Sequence, residues 1–571
     1  MHVCLRVDEI LRLLARELVT SNARATAVAL ACSCKSFEDP ALDALWETQY
    51  RLLPLLKSLP GDVWNEDGYT VSAPTTRALF SLNHFDRQTF RRPPTIPEWA
   101  RFRQNARRIR MLESGDRRFP ASEVFAALQL CGINEPLFPN LGSLQLWDFT
   151  GRLIPSVPSF LSPRTTVINI EFGDSADLPK AVITSMVTTF PTLCPNLQKI
   201  TLPFLPRHPI IVAAVSELVL ATNRGALRKF CVDSPLTEEA QEVICKLPNL
   251  CKLWIVLKGS TSLSTMVLPN LTDMYVEYDH NFDWLEGFRG ATFGELNSIT
   301  FYAKSKSAQV AGFLEAFESA GLTTSMTLAK FRFSTHGPWR PNYHSLLSFT
   351  QLRELEIRFS CERGCSSTID DAIITDMARA MPKLKTLRFG EEPCGTPTGV
   401  TAEGLAILAH YCPNLSDLCI HFRVDSLSTL PAISGTPRVG STAPRGDCAL
   451  KTLHVGETPM PGESVLMAAL TLARIFPYIS SISRVDKNWK KVLDAICLSG
   501  QIIDRTSKEH SSAASRTLVT PSQELRSRVP VSPETVRNDS VLNLTVSFTQ
   551  RKLHLLVTRL ALFYFQRCSR E

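Results

Sequence analysis

The chain has 571 residues, 44% hydrophobic and 20% charged, an ordinary globular usage that excludes a disordered or fibrous protein. Its 62 Lys and Arg against 55 Asp and Glu leave a net charge of +7, too small an excess at this length to call for a nucleic-acid or membrane partner. The 16 cysteines are scattered and mostly embedded in apolar runs (Cys34, Cys194, Cys245, Cys412, Cys419), the setting of buried free thiols rather than of a disulfide framework.

The opening run HVCLRVDEILRLL carries charges through its apolar stretch and does not read as a signal peptide, so a reducing cytoplasmic or nuclear location is expected. Ile10, Leu11, Leu14 and Leu18 recur at helical spacing and predict a first helix. Val28, Leu30, Ala31 and Cys34 fit a second, followed by a turn marked by Pro40 and an apolar tail ending in Trp46. A piece this small rarely buries enough surface to be stable alone, so these stripes call for a partner in trans or for the rest of the chain in cis. The next stretch, RLLPLLKSLPGDVW, reads as a short helix and turns.

Between Arg87 and Arg118 the segment RRPPTIPEWARFRQNARRIRMLESGDRRF packs many arginines into a few turns. RNA binding is one reading. However, Trp99, Phe102, Ala106, Ile109 and Leu112 form an apolar stripe, which makes the arginines the wet face of a helix. No base-stacking aromatics are interleaved among them, so nucleic acid is disfavoured as a partner.

From residue 138 onward one pattern recurs. FPNLGSLQLWDF, CPNLQKITLPF, LPNLCKLWIVL, LPNLTDMYVEY, FTQLRELEIRF, MPKLKTLRFGE, CPNLSDLCIHF and DCALKTLHVGE all fit P-x-L-x-x-Φ-x-Φ, strictly or with one substitution. Weaker copies start at Arg164, Arg224, Phe293, Ser325 and Phe476, and successive units lie roughly 21 to 35 residues apart. Helical candidates fill the intervals, such as SELVLATNR, TEEAQEVICKL and TIDDAIITDMARAM. In the last, Ile369, Ile373, Ile374 and Met377 form the apolar stripe, with Asp370, Asp371 and Asp376 toward water. The residue before each proline is pushed toward extended backbone, so P-x-L is a helix-to-strand corner. Within the strand, alternation sends Leu253 and Ile255 to one face and Lys252, Trp254 and Val256 to the other. One unit cannot bury its apolar face alone, whereas stacked units share a continuous core.

On these motifs the chain resembles the leucine-rich-repeat family from about Phe138 to Asn488. Ahead of it, Glu9-Ile10-Leu11, Leu14, Leu18, Ala31, Cys34-Lys35-Ser36-Phe37, Leu42 and Leu45-Trp46 resemble an F-box, and the combination is similar to the fungal F-box and leucine-rich-repeat proteins. In this sequence Val7-Asp8 stands where the family carries a proline, and Ala25-Thr26 where it carries an acidic-leucine pair. The resemblance implies an α/β fold: a curved parallel sheet with outer helices, preceded by a small all-α module. It also implies a substrate-recognition subunit of a cullin-based SCF-type ubiquitin ligase, which is not itself an enzyme. A Skp-type adaptor would bind through Glu9, Ile10, Leu11, Leu14, Leu18, Leu30, Cys34, Phe37, Leu42 and Trp46. The alternatives are a module at residues 5–46 that merely caps the array, and an interaction scaffold unattached to a ligase.

Projecting the alternation onto the concave face selects Trp147, Trp254, Tyr275, Glu277, Tyr302, Arg332, Glu354, Glu356, Arg358, Arg388, His421 and His454 as candidate contacts to an unknown protein target. Some of these could instead pair across strands, Glu354, Glu356 and Arg358 with Arg332 and Arg388. No P-loop, G-x-S-x-G, H-E-x-x-H or G-x-G-x-x-G occurs, and the 11 histidines do not combine with cysteines at zinc spacing, Cys361 and Cys365 included. No cofactor, metal or catalytic residue is expected.

The expected organisation is a helical module at 1–50, a helical linker and cap at 51–120, the repeat array at 121–498 with a flexible Ser-, Thr-, Pro- and Gly-rich loop at 424–449, and a poorly ordered tail at 499–571 that could end in a helix. The tail's apolar run LHLLVTRLALFYF contains Arg559 and falls short of the ~20 residues that span a bilayer, so no membrane partner is expected.

Overall fold

The computed structural model describes residues 7–63, 91–92, 94–114, 135–148, 153–172, 179–258, 266–279, 291–294, 296–303, 317–318, 321–323, 325–333, 344–359, 369–389, 399–428, 448–455, 460–483 and 487–497. They fall into two units, 7–172 and 179–497.

The first unit opens with three helices, α1 (Asp8–Thr20), α2 (Arg24–Ser33) and α3 (Lys35–Glu47). Asp8 and Glu9 sit in the first turn of α1, where the helix dipole favours negative charge. The helix stops at Asn22, which takes the left-handed φ of 63° while Ala23 N–H closes on Leu18 O at 2.8 Å, a Schellman ending. Ala15 of α1 meets Ala41 and Ala44 of α3 in a core cluster, with Val19, Leu30 and Ala31 packed against it. Alanines at this contact let the helices approach closely. Arg16 pairs with Glu47 at 2.9 Å, and Arg12 bridges Asp8 and Asp43.

Pro40 corrects an expectation, because it lies buried inside α3 and marks no turn. A chain whose neighbouring Phe37, Ala41 and Ala44 all bury on one face keeps the helix despite the missing N–H.

Two strands also replace expected helix or linker. After β1 (Thr48–Gln49) and α4 (Leu53–Leu56), helix α5 (Ile96–Ala106) begins with a capping box between Thr95 and Glu98 and buries Trp99, Phe102 and Ala106. The stripe expected to continue through Leu112 leaves the helix at Ala106. Leu112 is instead the buried residue of β2 (Met111–Ser114), which pairs with β1 on one side and with β3 (Ser143–Asp148) on the other. The short α6 (Val157–Phe160) precedes β4 (Val167–Phe172), and the four strands run parallel in the order β1-β2-β3-β4. Leu112, Leu144 and Ile168 form one buried row. The strand array therefore starts at Thr48, ahead of the expected boundary at 121.

The second unit alternates helices with strands from its start: α7 (Lys180–Leu193), β5 (Lys199–Leu202), α8 (Pro209–Ala221), β6 (Lys229–Pro235), α9 (Glu238–Ile244) and β7 (Lys252–Lys258). Then come β8 (Val267–Leu268), β9 (Asp273–Asp279), β10 (Thr292–Phe293), β11 (Ser298–Ala303) and β12 (Leu328–Phe333). The series closes with α10 (His344–Leu347), β13 (Glu354–Phe359), α11 (Asp371–Ala380), β14 (Thr386–Phe389), α12 (Ala402–Tyr411), β15 (Asp417–Cys419), β16 (Thr452–His454), α13 (Val465–Ile475) and β17 (Ser481–Ser483). Apart from the separate pair β8 and β10, the strands form a parallel sheet whose spatial order is their chain order. Every motif copy read from the sequence carries one strand.

The corner between helix and strand repeats in detail. Arg228 O accepts the N–H groups of both Cys251 and Lys252, Cys251 O those of Thr272 and Asp273, and Thr272 O those of Asn297 and Ser298. The chain thus enters each strand already bonded to the unit before it. Ile200, Phe230, Leu253, Met274, Ile299, Ala329, Leu355, Leu387, Leu418, Leu453 and Ile482 lie in register as one buried row. Each large member contributes about 1.5–3 kcal/mol of transfer free energy. Helices pack on their successors, α7 on α8, α8 on α9, α11 on α12 and α12 on α13.

Three sequence expectations change here. Asp371, expected in water, accepts Thr401 N–H at 2.8 Å and Thr401 Oγ1–H at 2.6 Å, tying α11 to the start of α12. Ile373 is only half-buried, the core side of α11 being Ile374, Met377 and Ala378. The loop expected at 424–449 opens as a 3-10 turn, Val424–Ser428, with Val424 and Leu427 buried and Thr471 Oγ1 donating to Leu427 O at 2.9 Å. Residues 429–447, the tail from 498, and Cys361 with Cys365 lie outside the described residues. Among the described residues no helix is long and apolar enough to cross a membrane.

Candidate protein-interaction faces

Alternation leaves the second sheet face of residues 179–497 without the buried row, and its side chains stand in register across neighbouring strands. One row reads Lys199, Lys229, Lys252, Asp273, Ser298, Leu328, Glu354, Thr386, Asp417, Thr452 and Ser481. Two residues further along each strand the row is Thr201, Cys231, Trp254, Tyr275, Thr300, Lys330, Glu356, Arg388, Cys419, His454 and Ser483.

From β12 to β17 these groups pair with one another. Lys330 lies 3.6 Å from Glu354 and 3.9 Å from Glu356, and Glu356, only 4% exposed, also binds Arg358. Arg388 grips Asp417 through two hydrogen bonds of 2.8 and 3.0 Å. His454 Nε2 reaches the same carboxylate at 3.3 Å, and its Nδ1 shares a hydrogen bond with Ser483 Oγ. Burial alone would raise the Asp417 carboxyl, but the Arg388 hydrogen bonds and charge, with His454 behind them, hold it below its ordinary value.

At β5 to β9 the picture differs. Lys199, Lys229 and Lys252 are directly opposite one another, and of the three only Lys252 has an anionic partner among the described residues, Asp273 at 3.2 Å. Beside them Trp254 and Tyr275 stack obliquely, ring centroids 4.4 Å apart and planes at 48°. The buried indole Nε1 of Trp254 has no acceptor among the described residues. Arg207 binds Asp233 at 2.9 Å and also Glu277, which is 8% exposed.

The structure places Trp254, Tyr275, Glu277, Tyr302, Glu354, Glu356, Arg358, Arg388 and His454 on strands of this face, as the alternation required. His421 lies beyond β15 and is half-buried. Arg332 sits in β12 opposite Tyr302 and Arg358, its side chain outside the described residues. Trp147 belongs to the first unit, in β3 opposite Glu171. Sequence reading missed the lysine row and Asp417, although the recurring L-x-K of NLQKI, ALRKF and NLCKL was there to be seen.

In the first unit, Leu11, Leu18 and Phe37 of the expected adaptor set are buried. Glu9 is exposed, and Ile10, Leu14, Leu30, Cys34, Leu42 and Trp46 are half-buried. Leu13 at 64% exposure and Val28 at 50% are the more accessible apolar side chains on α1 and α2. Three of the seven described arginines of the basic segment pair internally: Arg92 with Asp62 and Glu98, Arg108 with Asp39 and Asp43, Arg107 with Glu135 at 3.3 Å. Arg87, Arg117 and Arg118 lie outside the described residues. A groove of about 910 Å³ runs along α5, lined by Trp99, Arg103, Arg107, Arg108, Arg110 and Asp43 among others.

Cys194, Cys245, Cys412, Cys419 and Cys448 are buried free thiols, and Cys34 is half-buried. Burial pushes the Cys245 and Cys412 thiols up to about 12, which makes them poor nucleophiles. Among the described residues no group of His, Cys, Asp and Glu could hold a metal ion. Comparison with protein-family models finds no match, and comparison with curated proteins finds none either.

Proposed function

We propose that the chain is the substrate-recognition subunit of a cullin-based SCF-type ubiquitin ligase, holding a Skp-type adaptor through helices α1 to α3 and a target protein through the open sheet face. The observation that carries this reading is the order of parts: a small helical module with accessible Leu13 and Val28, followed by in-order parallel strands with an open aromatic and charged face. Large aromatics and arginines on such a face are the residue types of binding hot spots. The work of the chain is positioning. A separate conjugating enzyme would deliver ubiquitin to a lysine of the held target, an effective-concentration effect rather than chemistry by this chain.

The test is recovery of a Skp-type adaptor with the full-length chain. Leu13→Asp with Val28→Asp changes only exposed positions, so it should abolish recovery without lowering the melting temperature. Retained adaptor in that variant, or none with the native chain, overturns the proposal.

One observation favours a second reading, an interaction scaffold unattached to a ligase. Leu11, Leu18 and Phe37 are already buried within the chain, and Arg108 ties α3 to the chain just after α5. On that reading the module caps the array and no adaptor is recovered.

A further inference from the structure

A row of like charges directly opposite one another on adjacent strands is unfavourable, and neighbouring strands stand only about 4.8 Å apart. Lys199, Lys229 and Lys252 occupy such a row on β5, β6 and β7. Asp273 neutralises Lys252 at 3.2 Å, while Lys199 and Lys229 have no carboxylate among the described residues. Elsewhere on the same face the chain does the opposite and closes Glu356, Arg388 and Asp417 with counter-charges. Immediately beside the lysines lies an aromatic shelf, Trp254 against Tyr275.

Resting on the target-receptor reading above, we propose that the β5–β9 end of the open face docks a short acidic polypeptide segment carrying an apolar side chain. Its carboxylates lie along Lys199, Lys229 and Lys252, and its apolar group rests on Trp254 and Tyr275. Both halves of that chemistry are on the face: Lys199 and Lys229, cations without anions among the described residues, and the aromatic pair Trp254 and Tyr275 beside them. Past β7 the row continues as Asp273, Ser298 and Leu328 with no further cation on it, so a few carboxylates find partners along the row where a long nucleic-acid backbone would not. Lysines, unlike arginines, offer point charges rather than a planar fork, which suits carboxylates of an irregular segment.

The experiment uses the full-length chain and fluorescence anisotropy with a labelled twelve-residue peptide holding three consecutive glutamates followed by phenylalanine. Its controls are the same peptide with glutamine for glutamate and a single-stranded oligouridylate of equal length. The proposal expects the glutamate peptide to bind at least about tenfold more tightly than the glutamine peptide, with affinity falling as salt rises. Replacing the three lysines, K199Q/K229Q/K252Q, should remove that preference. Lys385→Gln with Lys451→Gln, exposed lysines just ahead of β14 and β16, should leave it unchanged. Lys199→Gln and Lys229→Gln relieve repulsion and Lys252→Gln gives up one exposed ion pair with Asp273, so a melting temperature close to the native one shows that lost binding is not lost folding.

Equal binding of the two peptides, or undiminished binding by the triple variant, overturns the proposal. Tighter binding of the oligouridylate overturns it in favour of nucleic acid. Should the glutamate peptide fail while the native chain still recovers an adaptor through Leu13 and Val28, the acidic partner falls and the receptor reading stands. Should both fail, both fall.

Discussion

Between β12 and β17 the open face of residues 179–497 cancels its own charge; between β5 and β7 it does not. The strand frame is the same at both ends, with one residue of every strand delivered to the buried row and the next to the open face. What differs is which residue of a neighbouring unit arrives opposite. Glu356 meets Lys330 and Arg388, and Arg388 reaches Asp417 diagonally, whereas Lys229 meets Lys199 and Lys252. Internally paired charges offer a partner little, because a partner must first break bonds already made. Unpaired ones carry a cost in the free protein and a gain on association. A face built this way is braced at one end and, at the other, leaves Lys199 and Lys229 without counter-charges among the described residues.

The largest effects test whether the two ends share one frame. Leu253→Ala and Leu355→Ala each remove a large side chain from the buried row, at opposite ends. Each should cost about 2–5 kcal/mol in chemical denaturation. A nearly neutral Leu253→Ala would break the comparison, because the lysine end would then not be anchored as the paired end is.

Next in size is Asp417→Asn, which strips the shared partner from Arg388 and His454. It should destabilise by about 1–3 kcal/mol at neutral pH. The pH dependence has a definite sign. The carboxyl is held below its ordinary 3.8, so the folded state binds its proton less readily than the unfolded state. Its stabilising contribution is present above about pH 4 and is lost as pH falls through the depressed folded value. Denaturation midpoints of the native chain should therefore drop toward those of Asp417→Asn on acidification, while at neutral pH the gap is full.

The smallest effect has the opposite sign. Lys229→Gln removes the middle charge of the lysine row and should stabilise by about 0.2–0.5 kcal/mol, a gain that shrinks as salt is raised from about 50 to 500 mM. A loss of stability there would mean that Lys229 serves the fold.

Much of the strand frame was legible in the chain. P-x-L-x-x-Φ-x-Φ places an extended corner and then alternation, both local consequences of the backbone, and each copy found this way became a strand. Four strands escaped notice, the short Val267–Leu268 and Thr292–Phe293 and two in the first unit. Thr48–Gln49 and Met111–Ser114 carry no proline corner, and Leu112 continues a stripe at helical spacing from Trp99. Only pairing with β3 makes 111–114 extended, and periodicity within one segment cannot report a neighbour. Pro40 misled for the same reason, since the contacts of Phe37, Ala41 and Ala44 outweigh one missing hydrogen bond. At the open face, alternation identified Glu356 and Arg388 but not their use. Glu356 is spent on Lys330 and Arg358, and Arg388 on Asp417, a residue no motif drew attention to.

The amino-acid sequence by itself settled which side of every repeated strand is apolar, because the period of two is a property of extended backbone and needs no partner. Tertiary structure decided which charges meet. Opposite residues such as Glu356 and Arg388 come from different repeats and are brought together by register alone, so the difference between a charge-paired end and an unpaired one exists only once the units are stacked.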